Sequence, residues 1–288
     1  MITNKLLYDI PLTNEHKIVV IGDIHGDLKR LKKILIDALI INENMEWIAQ
    51  PQNTIVIQMG DQIDSANRMP NLEEWEVLTD INTLHFTNNL DIIAKTKGGR
   101  FISLIGNHEL MNILGNFQYV SNNSTFENRY NYFKPVTGIF SSILADRPLV
   151  IKIGKYMFCH AGLKKHHLDI LDKYNKDIFY INYVWRDLLL NNNISLEDKE
   201  ILDKIILDDD GILWMRGEDS DINIEYCARK LAYRYIFIGH NPVENVDIVK
   251  NRIIYTDTCI SRAFGQSTFQ YVVIENNIVK VRKMYDTK

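Results

Sequence analysis

The chain has little cysteine, no surplus of positive charge and no long apolar run. Three scattered cysteines are too few for a disulfide framework, which favours a reducing compartment. With 33 basic and 37 acidic residues the net charge is −4, which argues against a nucleic-acid partner. The longest apolar stretch, residues 34–41, is too short to span a bilayer, and residues 1–16 do not resemble a signal peptide. We therefore expect an intracellular, cytoplasmic protein with no membrane partner.

Two catalytic motifs are also missing. A cysteine-based phosphatase needs an arginine six residues after its cysteine, and the residues at that spacing are Lys165, Tyr233 and Gly265. The chain has no G-x-x-x-x-G-K-[ST] loop, the phosphate-binding element of many kinases and nucleotide-driven motors. The cysteine-based chemistry is therefore excluded, and a nucleotide-driven motor or kinase is disfavoured.

What the chain does contain is a series of short apolar runs, each ended by glycine or polar residues. Runs rich in Val, Ile, Phe and Tyr that stop at turn residues are typical of buried strands. The five runs are residues 17–21, 54–59, 101–105, 155–159 and 235–238. Helical patterns lie between them: one capped by Asp27, one over about 72–93, and one capped by Ser195. This alternation predicts an α/β fold.

The domain organisation is predicted to be simple. No linker, internal repeat or shift in composition divides the chain, so residues 1–288 are interpreted as one domain. The segment of about 115–147 lacks clear periodicity, and the segment of about 174–207 reads as helical. We expect these two segments to form a cap or insertion near the site.

Four of the eight histidines directly follow predicted strands, in turns shared with Gly, Asp or Asn. Such turns gather Asp, His and Asn side chains into one pocket at the ends of the strands. Two aspartates there, Asp23 and Asp61, would repel each other, whereas two divalent cations would reverse that balance. Imidazole, carboxylate and amide donors without thiolate suit Mn, Fe or Zn. The remaining histidines are expected at the surface: His16, His85, His166 and His167.

The polar turns occur in a recognisable order. The set GDIHG (22–26), GDQID (60–64), GNHE (106–109), HAG (160–162) and GH (239–240) resembles the calcineurin-like metallophosphoesterase superfamily, and within it the PPP phosphoprotein phosphatases. GNHELMN (106–112), LWMRG (213–217) and DTCISRAFG (257–265) are similar to the bacterial-type, Shewanella-like branch. The resemblance spans residues 18–265 and implies a central β-sandwich flanked by helices, with a small helical cap.

The resemblance also implies a role for each residue that matches a motif. Two divalent or mixed-valence metal ions (Mn, Fe or Zn) would be bound by six ligands: Asp23, His25, Asp61, Asn107, His160 and His240. Asp61 would bridge the metals, and a bridging hydroxide would attack phosphorus in line. His108 would protonate the departing oxygen, with Asp64 orienting its ring. Arg216 resembles an arginine that binds the phosphate.

One position departs from the family pattern. The family carries Arg directly after the second Asp of GDxxDR, and this chain has Ser65. Arg68 and Arg262 are the candidates to bind phosphate in its place. The last motif also differs, with Thr258, Cys259 and Ile260 where the branch usually carries Gly-Met.

These features predict a metallophosphatase, a hydrolase of phosphate monoesters that acts on phosphorylated proteins or peptides, with Ser/Thr favoured over Tyr. The alternative is a dinucleoside polyphosphate or RNA-cap pyrophosphohydrolase of the ApaH-like type; those relatives typically alter the second Asp, and Asp64 is intact. A metal-free binding module is a third reading, disfavoured because every ligand position is filled. The physiological substrate, the native metal pair and the oligomeric state are left open by the sequence.

Overall fold

The core of the fold consists of two mixed β-sheets, seen in a computed structural model that describes residues 8–13, 16–65, 79–121, 124, 127–191, 194–217 and 220–286. The first sheet has five strands in the order β11-β10-β2-β3-β4. Its strands are β2 (Lys17–Ile21), β3 (Ile55–Gln58), β4 (Arg100–Ser103), β10 (Thr268–Glu275) and β11 (Ile278–Tyr285). Strands β2, β3 and β4 run parallel, and β10 and β11 extend the sheet in antiparallel fashion.

The second sheet has six strands in the order β1-β5-β6-β7-β9-β8. They are β1 (Asp9–Ile10), β5 (Val150–Ile153), β6 (Tyr156–Cys159), β7 (Tyr235–Ile238), β8 (Asp247–Val249) and β9 (Ile253–Tyr255). Strands β6, β7 and β9 are parallel neighbours, so β6 and β7 end at the same edge of the sheet.

Successive side chains along each strand point to opposite faces of the sheet, and this explains how the two sheets pack. Val20, Ile57 and Ile102 lie in register across β2, β3 and β4 and share an apolar layer with residues of the second sheet such as Phe158 and Phe237. The residues just before them along each strand point to the opposite face, where they pack beneath helices. Both faces of each central strand are therefore buried, which is why these strands appear in the sequence as unbroken apolar runs.

Helices cover the outer face of each sheet. Helices α1 (Leu28–Asp37) and α2 (Thr79–Thr96) lie on the five-stranded sheet. The predicted cap of α1 is confirmed, because Asp27 Oδ1 accepts a hydrogen bond from the backbone N–H of Arg30 at 3.0 Å. The predicted helix over about 72–93 is present from Thr79, and residues 72–78 lie outside the described part of the chain.

The remaining helices follow in chain order. They are α3 (Asn107–Ile113), α4 (Arg129–Phe133), α5 (Ile139–Ala145), α6 (Lys165–Lys173), α7 (Tyr180–Leu190), α8 (Leu196–Ile201) and α9 (Asp221–Lys230). A π-helix, Leu202–Ile206, continues α8, and a short 3-10 helix covers Arg262–Phe264. Within the described residues, none of the helices is long and apolar enough to cross a membrane.

The segments predicted as a cap contribute to the largest apolar core. Phe133 and Phe140 come from the first segment and Trp185 from the second, and all three are buried in the layer outside the six-stranded sheet. The indole N–H of Trp185 donates to the Leu144 carbonyl at 2.9 Å, which joins the two segments. Their description as insertions into a single domain of residues 1–288 remains a prediction. The predicted fold class, a central β-sandwich flanked by helices, is confirmed.

Candidate metal centre

The ends of five strands converge at one edge of the sandwich. Strands β2, β3 and β4 lead into the turns that begin at Gly22, Met59 and Leu104, and β6 and β7 lead into His160 and Gly239. Backbone hydrogen bonds connect these turns directly. The His25 N–H donates to the Asp61 carbonyl at 2.9 Å, and the Gly239 N–H donates to the His160 carbonyl at 2.8 Å. The two sheets therefore place their polar turns around one point.

Asp61 lies at the centre of this arrangement. Two groups of potential metal ligands share its carboxylate, one with His25 and His108 and the other with His160 and His240. The Nε2 atoms of His160, His108 and His25 lie 3.4, 3.8 and 3.9 Å from Asp61 Oδ2. All five side chains are buried. One carboxylate surrounded by two sets of donors is the arrangement that a pair of bridged cations requires.

The other predicted ligands border the same centre. The side-chain oxygen of Asn107 lies 3.0 Å from Nε2 of His160. Asp23 is 1% exposed; its Oδ2 accepts a hydrogen bond from the His240 N–H at 2.9 Å, whereas its Oδ1 has no hydrogen-bond partner. A buried carboxylate oxygen without a donor is costly unless a cation neutralises it. Asp23 therefore fits a metal ligand, although it lies outside both compact groups.

Hydrogen bonds to backbone carbonyls fix the orientation of the imidazole rings. His25 Nδ1 lies 3.0 Å from the carbonyl of Asp64, and His160 Nδ1 lies 2.8 Å from that of Met59. His240 uses its other nitrogen, because Nε2 lies 3.1 Å from the Trp214 carbonyl. A ring that donates through one N–H presents the lone pair of its second nitrogen, which is the form that binds a metal.

The backbone of the centre lies in conformations that most residues avoid. His25, Asp61, Asp64 and His240 have φ angles of 42°, 50°, 69° and 58°. Such strain concentrates at functional sites, where the surrounding structure maintains it. Two neighbouring glycines give the aspartates room: a Cβ on Gly106 would lie 2.2 Å from Asp61 Oδ1, and one on Gly239 would lie 2.2 Å from Asp23 Oδ1.

The charges of these buried groups are strongly coupled. Burial acts to raise the pKa of Asp61, but His160, His108 and His25 outweigh it and hold that pKa well below its usual value. Burial and the nearby Asp257 carboxylate raise the pKa of Asp23 well above its usual value. Burial lowers the pKa of His240 to about 3, with a further contribution from His160.

The pKa of His160 is shifted upwards, in the opposite direction to that of His240. Burial acts to lower its pKa, but the carboxylates of Asp61 and Asp23 raise it to about 10. Without cations, protons on Asp23 and His160 would balance the charge of the cluster. Divalent ions would favour the ionised carboxylate and the neutral imidazole instead, because both are metal ligands in those forms.

The pair predicted to carry a proton lies beside this centre. His108 Nδ1 is 3.0 Å from Asp64 Oδ2, and the same oxygen accepts a hydrogen bond from the Asn112 amide at 2.9 Å. Asp64 is fully buried, and His108 is 4% exposed. The ring of Tyr119 packs edge-on against that of His108, with centroids 5.2 Å apart. The imidazole is thus held with its Nε2 towards Asp61 and its Nδ1 bound to a carboxylate.

Glu109 is a supporting residue to which the sequence assigned no role. Its carboxylate accepts backbone N–H bonds from Asp61 at 3.0 Å, Gln62 at 2.8 Å and Gly106 at 2.8 Å. It therefore joins the turn after β3 to the turn after β4. The GNHE motif contains this residue, but no feature of the sequence indicates which N–H groups it meets.

Arg129 is a second supporting residue that the sequence did not reveal. It donates from Nη2 to Asp80 Oδ2 at 2.9 Å and to Asp64 Oδ1 at 3.5 Å, and from Nε to Asn112 Oδ1 at 2.8 Å. The arginine and both aspartates are buried. This network surrounds the carboxylate that orients His108, and no local sequence signal marks Arg129 as a member of it.

The three arginines predicted to bind phosphate differ in their positions. Arg216 is exposed at the rim, and its Nη1 donates to the His240 carbonyl at 3.1 Å. Arg262 forms a two-pronged ion pair with Asp27, with Nε at 2.8 Å and Nη2 at 3.0 Å from the two carboxylate oxygens. Arg68 lies outside the described residues. Ser65, in place of the family arginine, is 2% exposed.

One prediction about the other histidines is wrong. His167 is fully buried, with Nδ1 3.2 Å from the Lys164 N–H nitrogen and Nε2 3.1 Å from the Asp210 carbonyl. It closes the start of α6 onto the loop that contains Asp210. His85 and His166 are exposed, as predicted, and His16 is partly exposed.

The chain is similar in sequence and in structure to known phosphatases. The model of the calcineurin-like phosphoesterase family matches residues 16–244. Shewanella-like protein phosphatase 1 of Plasmodium berghei is 28% identical over 93% of this chain and 74% of its own length. The crystal structure of a cold-active protein-tyrosine phosphatase of a psychrophilic Shewanella species superposes with a TM-score of 0.74, at 20% identity, over 96% of this chain and 83% of that one. A protein serine/threonine phosphatase of Saccharomyces cerevisiae superposes with a TM-score of 0.60, at 14% identity, over 97% and 84%.

Proposed function

The chain belongs to the calcineurin-like phosphoesterase family, and we propose that it is a metal-dependent phosphoprotein phosphatase of the bacterial-type, Shewanella-like branch. Members of the family are hydrolases of phosphate esters that use a binuclear divalent metal site. The observation that carries the proposal is the pair of ligand groups that share Asp61, next to a His108–Asp64 pair. The Plasmodium relative, whose name is that of a protein phosphatase, supports a phosphoprotein as the substrate.

Six side chains would bind the two cations in this proposal: Asp23, His25, Asp61, Asn107, His160 and His240. When bound, the cations supply Lewis acidity, which neutralises charge on the phosphate and makes water acidic enough to serve as a nucleophile near neutral pH. Mn, Fe or Zn all fit a donor set of imidazole, carboxylate and amide groups. The partnerless Oδ1 of Asp23 favours occupation by metal over a metal-free binding module.

His108 is the proposed general acid. Because its Nδ1–H is bound to Asp64, its Nε2 is left to carry the proton that the departing oxygen needs. Asp64 stabilises the positive charge of the protonated ring. Asp64 is in turn held by Asn112 and Arg129, so that the ring can present Nε2 in only a narrow range of directions.

Arginine side chains would bind the phosphate oxygens from the rim. Arg216 is the leading candidate, since it is exposed and its guanidinium lies against the His240 carbonyl at the edge of the centre. Arg68 remains the predicted replacement for the family arginine. Arg262 could contact phosphate only with nitrogens that its pair with Asp27 does not occupy.

The proposal is tested by a substrate panel. Purified protein, with and without added manganese, is assayed against phosphoserine, phosphothreonine and phosphotyrosine peptides and against diadenosine tetraphosphate, alongside elemental analysis. We expect two metal ions per chain and metal-dependent release of phosphate from the peptides, fastest from phosphoserine or phosphothreonine. The variant Asp61→Asn serves as the inactive control.

Two results would overturn parts of this proposal. Much faster cleavage of diadenosine tetraphosphate than of any phosphopeptide would favour the pyrophosphohydrolase of the ApaH-like type. Hydrolysis that persists at full rate in metal-free protein or in Asp61→Asn would exclude the metal centre as the source of activity.

A further inference from the structure

One edge of the five-stranded sheet is a long strand with a neighbour on one side only. Strand β11 pairs with β10 along its whole length and ends the sheet. It has eight residues, whereas β4, β1 and β8, the strands at the other sheet edges, have four, two and three. An open edge of this length can accept a further strand from another chain.

A hydrogen bond at the end of β11 shows which of its backbone groups face outwards. The Asp286 N–H donates to the Ser267 carbonyl at 3.0 Å, so Asp286 belongs to the set of residues that bond to β10. Because this set alternates along an antiparallel strand, the N–H and C=O groups of Val279, Val281 and Lys283 point away from β10. In the part of the chain that the structure describes, these outward groups have no hydrogen-bond partner.

The side chains of β11 form an exposed positive surface. Residues 278–285 include Lys280, Arg282 and Lys283 and no acidic residue, in a chain of net charge −4. All three cationic side chains are exposed. Lys280 lies 3.7 Å from Glu275 on β10, and among the described residues Arg282 and Lys283 form no ion pair. Exposed cations on an edge strand discourage pairing with neutral or basic strands, so this edge is selective for an acidic one.

The two faces of β11 differ in their chemistry. Lys280 and Arg282 lie opposite residues of β10 that belong to the helix-covered core. On the other face, Val281 is 47% exposed and Tyr285 is 60% exposed. The side chains of an added strand would alternate between these faces, since directly opposite side chains share one face of a sheet. Acidic side chains would then meet Lys280 and Arg282, and apolar side chains would meet Val281 and Tyr285.

We propose that β11 is the docking edge for an extended segment of a partner protein in which acidic and apolar residues alternate. The segment would form backbone hydrogen bonds with Val279, Val281 and Lys283 and would place its carboxylates beside Lys280 and Arg282. A second copy of this chain fits less well, because two β11 strands side by side would bring like charges together. The docking edge does not depend on the proposed catalytic function.

The probe is a fluorescein-labelled peptide of the length of β11 in which glutamate and valine alternate. Fluorescence polarisation at low salt should show saturable binding, and the affinity should fall as sodium chloride is added. A peptide that alternates lysine and valine, and a glutamate–valine peptide with a central proline, should each bind about tenfold more weakly or less. Hydrogen exchange followed by NMR should become slower at the Val279, Val281 and Lys283 amides in the complex.

Two variants separate the backbone contribution from that of charge. Val281→Pro removes an outward N–H without removing a bond to β10, and it should weaken binding by about tenfold or more. Arg282→Glu keeps the backbone groups, should weaken binding to about the same degree, and serves if Val281→Pro does not fold. Lys199→Glu, a charge reversal at an exposed position of α8, is the matched control and should bind the peptide like the unmodified protein.

Several results would overturn the proposal. Absence of binding at low salt would exclude an acidic strand as the occupant. Equal affinity for the lysine–valine peptide, or for the peptide with the central proline, would show that strand pairing with an acidic segment is not what is measured. Unchanged binding by Val281→Pro and Arg282→Glu would place the peptide elsewhere on the protein. A dimer in sedimentation that Val281→Pro dissociates would assign the edge to a second copy of this chain instead.

Discussion

Replacing Glu109 by glutamine should lower both the stability of the protein and its affinity for metal, although Glu109 is not one of the proposed ligands. One oxygen of Glu109 accepts N–H bonds from both Asp61 and Gly106, and the other oxygen accepts one from Gln62. A glutamine amide has only one accepting oxygen, so at least one buried N–H group faces an NH2 group whichever way the amide turns. Glu109 itself is fully buried, which prevents water from replacing the lost acceptor.

The expected loss follows from these bonds. A buried donor left without an acceptor costs about 1–3 kcal/mol, and the bonds that remain lose the contribution of the negative charge. Together these predict that Glu109→Gln lowers the free energy of unfolding by about 2–4 kcal/mol. Because one of the N–H groups belongs to Asp61, the affinity for metal should also fall by about 10–100-fold.

The assay is urea unfolding at pH 8 together with manganese titration, for the unmodified protein and for Glu109→Gln. Burial and the charge of Asp61 raise the pKa of Glu109, so the basic buffer ensures that the carboxylate is ionised. Glu200→Gln, which alters a surface pair with Lys173, is the matched control and should leave both measurements essentially unchanged. If Glu109→Gln unfolded at the same urea concentration and bound manganese as tightly as the unmodified protein, the role assigned to these three bonds would be refuted.

Three further predictions concern other buried groups. His108→Asn should reduce turnover by about two to four orders of magnitude with metal content unchanged; normal turnover of a substrate with a poor leaving group would remove His108 from the acid role. Burial lowers the pKa of His167 to about 4, so the native state binds fewer protons than the unfolded state. The protonation of His167 should therefore lower the free energy of unfolding by about 3 kcal/mol between pH 6.5 and pH 4. The His167→Asn variant should lose that much less stability than the unmodified protein over the same pH range. Arg129→Met should lower the free energy of unfolding by about 3–5 kcal/mol, because it leaves two buried carboxylates without their cation. Adding Asp80→Asn should restore part of that stability. Chemical denaturation of the single and double variants measures the loss and the recovery.

Features that depend on residues close together in the sequence could be predicted from the sequence. The five strands that were predicted lie within about two residues of their observed ends, because runs of apolar residues buried on both faces are distinctive. The other six described strands, including the long pair Thr268–Glu275 and Ile278–Tyr285, were not predicted. The caps at Asp27 and Ser195 were also predicted, since a side chain that binds an N–H three residues later needs no distant partner. The polar turns were recognised because each follows its strand directly, and the structure brings His25, Asp61, His160 and His240 together.

Tertiary structure alone decided how these turns are supported. Arg129 is 49 residues from Asp80 and 65 from Asp64, and nothing around it in the sequence identifies either partner. Arg262, predicted to bind phosphate, forms an ion pair with Asp27, 235 residues away. His167 lies in polar sequence, yet the loop at Asp210 folds over it.

The physical reason is the same in each case. A strand, a cap or a tight turn is specified by interactions between residues a few positions apart, so its residues can be read locally. The partner of a buried charge depends on how distant segments pack. A buried charge without an opposite charge nearby is costly, so it pairs with whichever opposite group the fold places next to it. The sequence by itself determined which side chains could bind metal and phosphate; the packing of the two sheets and their helices decided which groups hold those side chains in place.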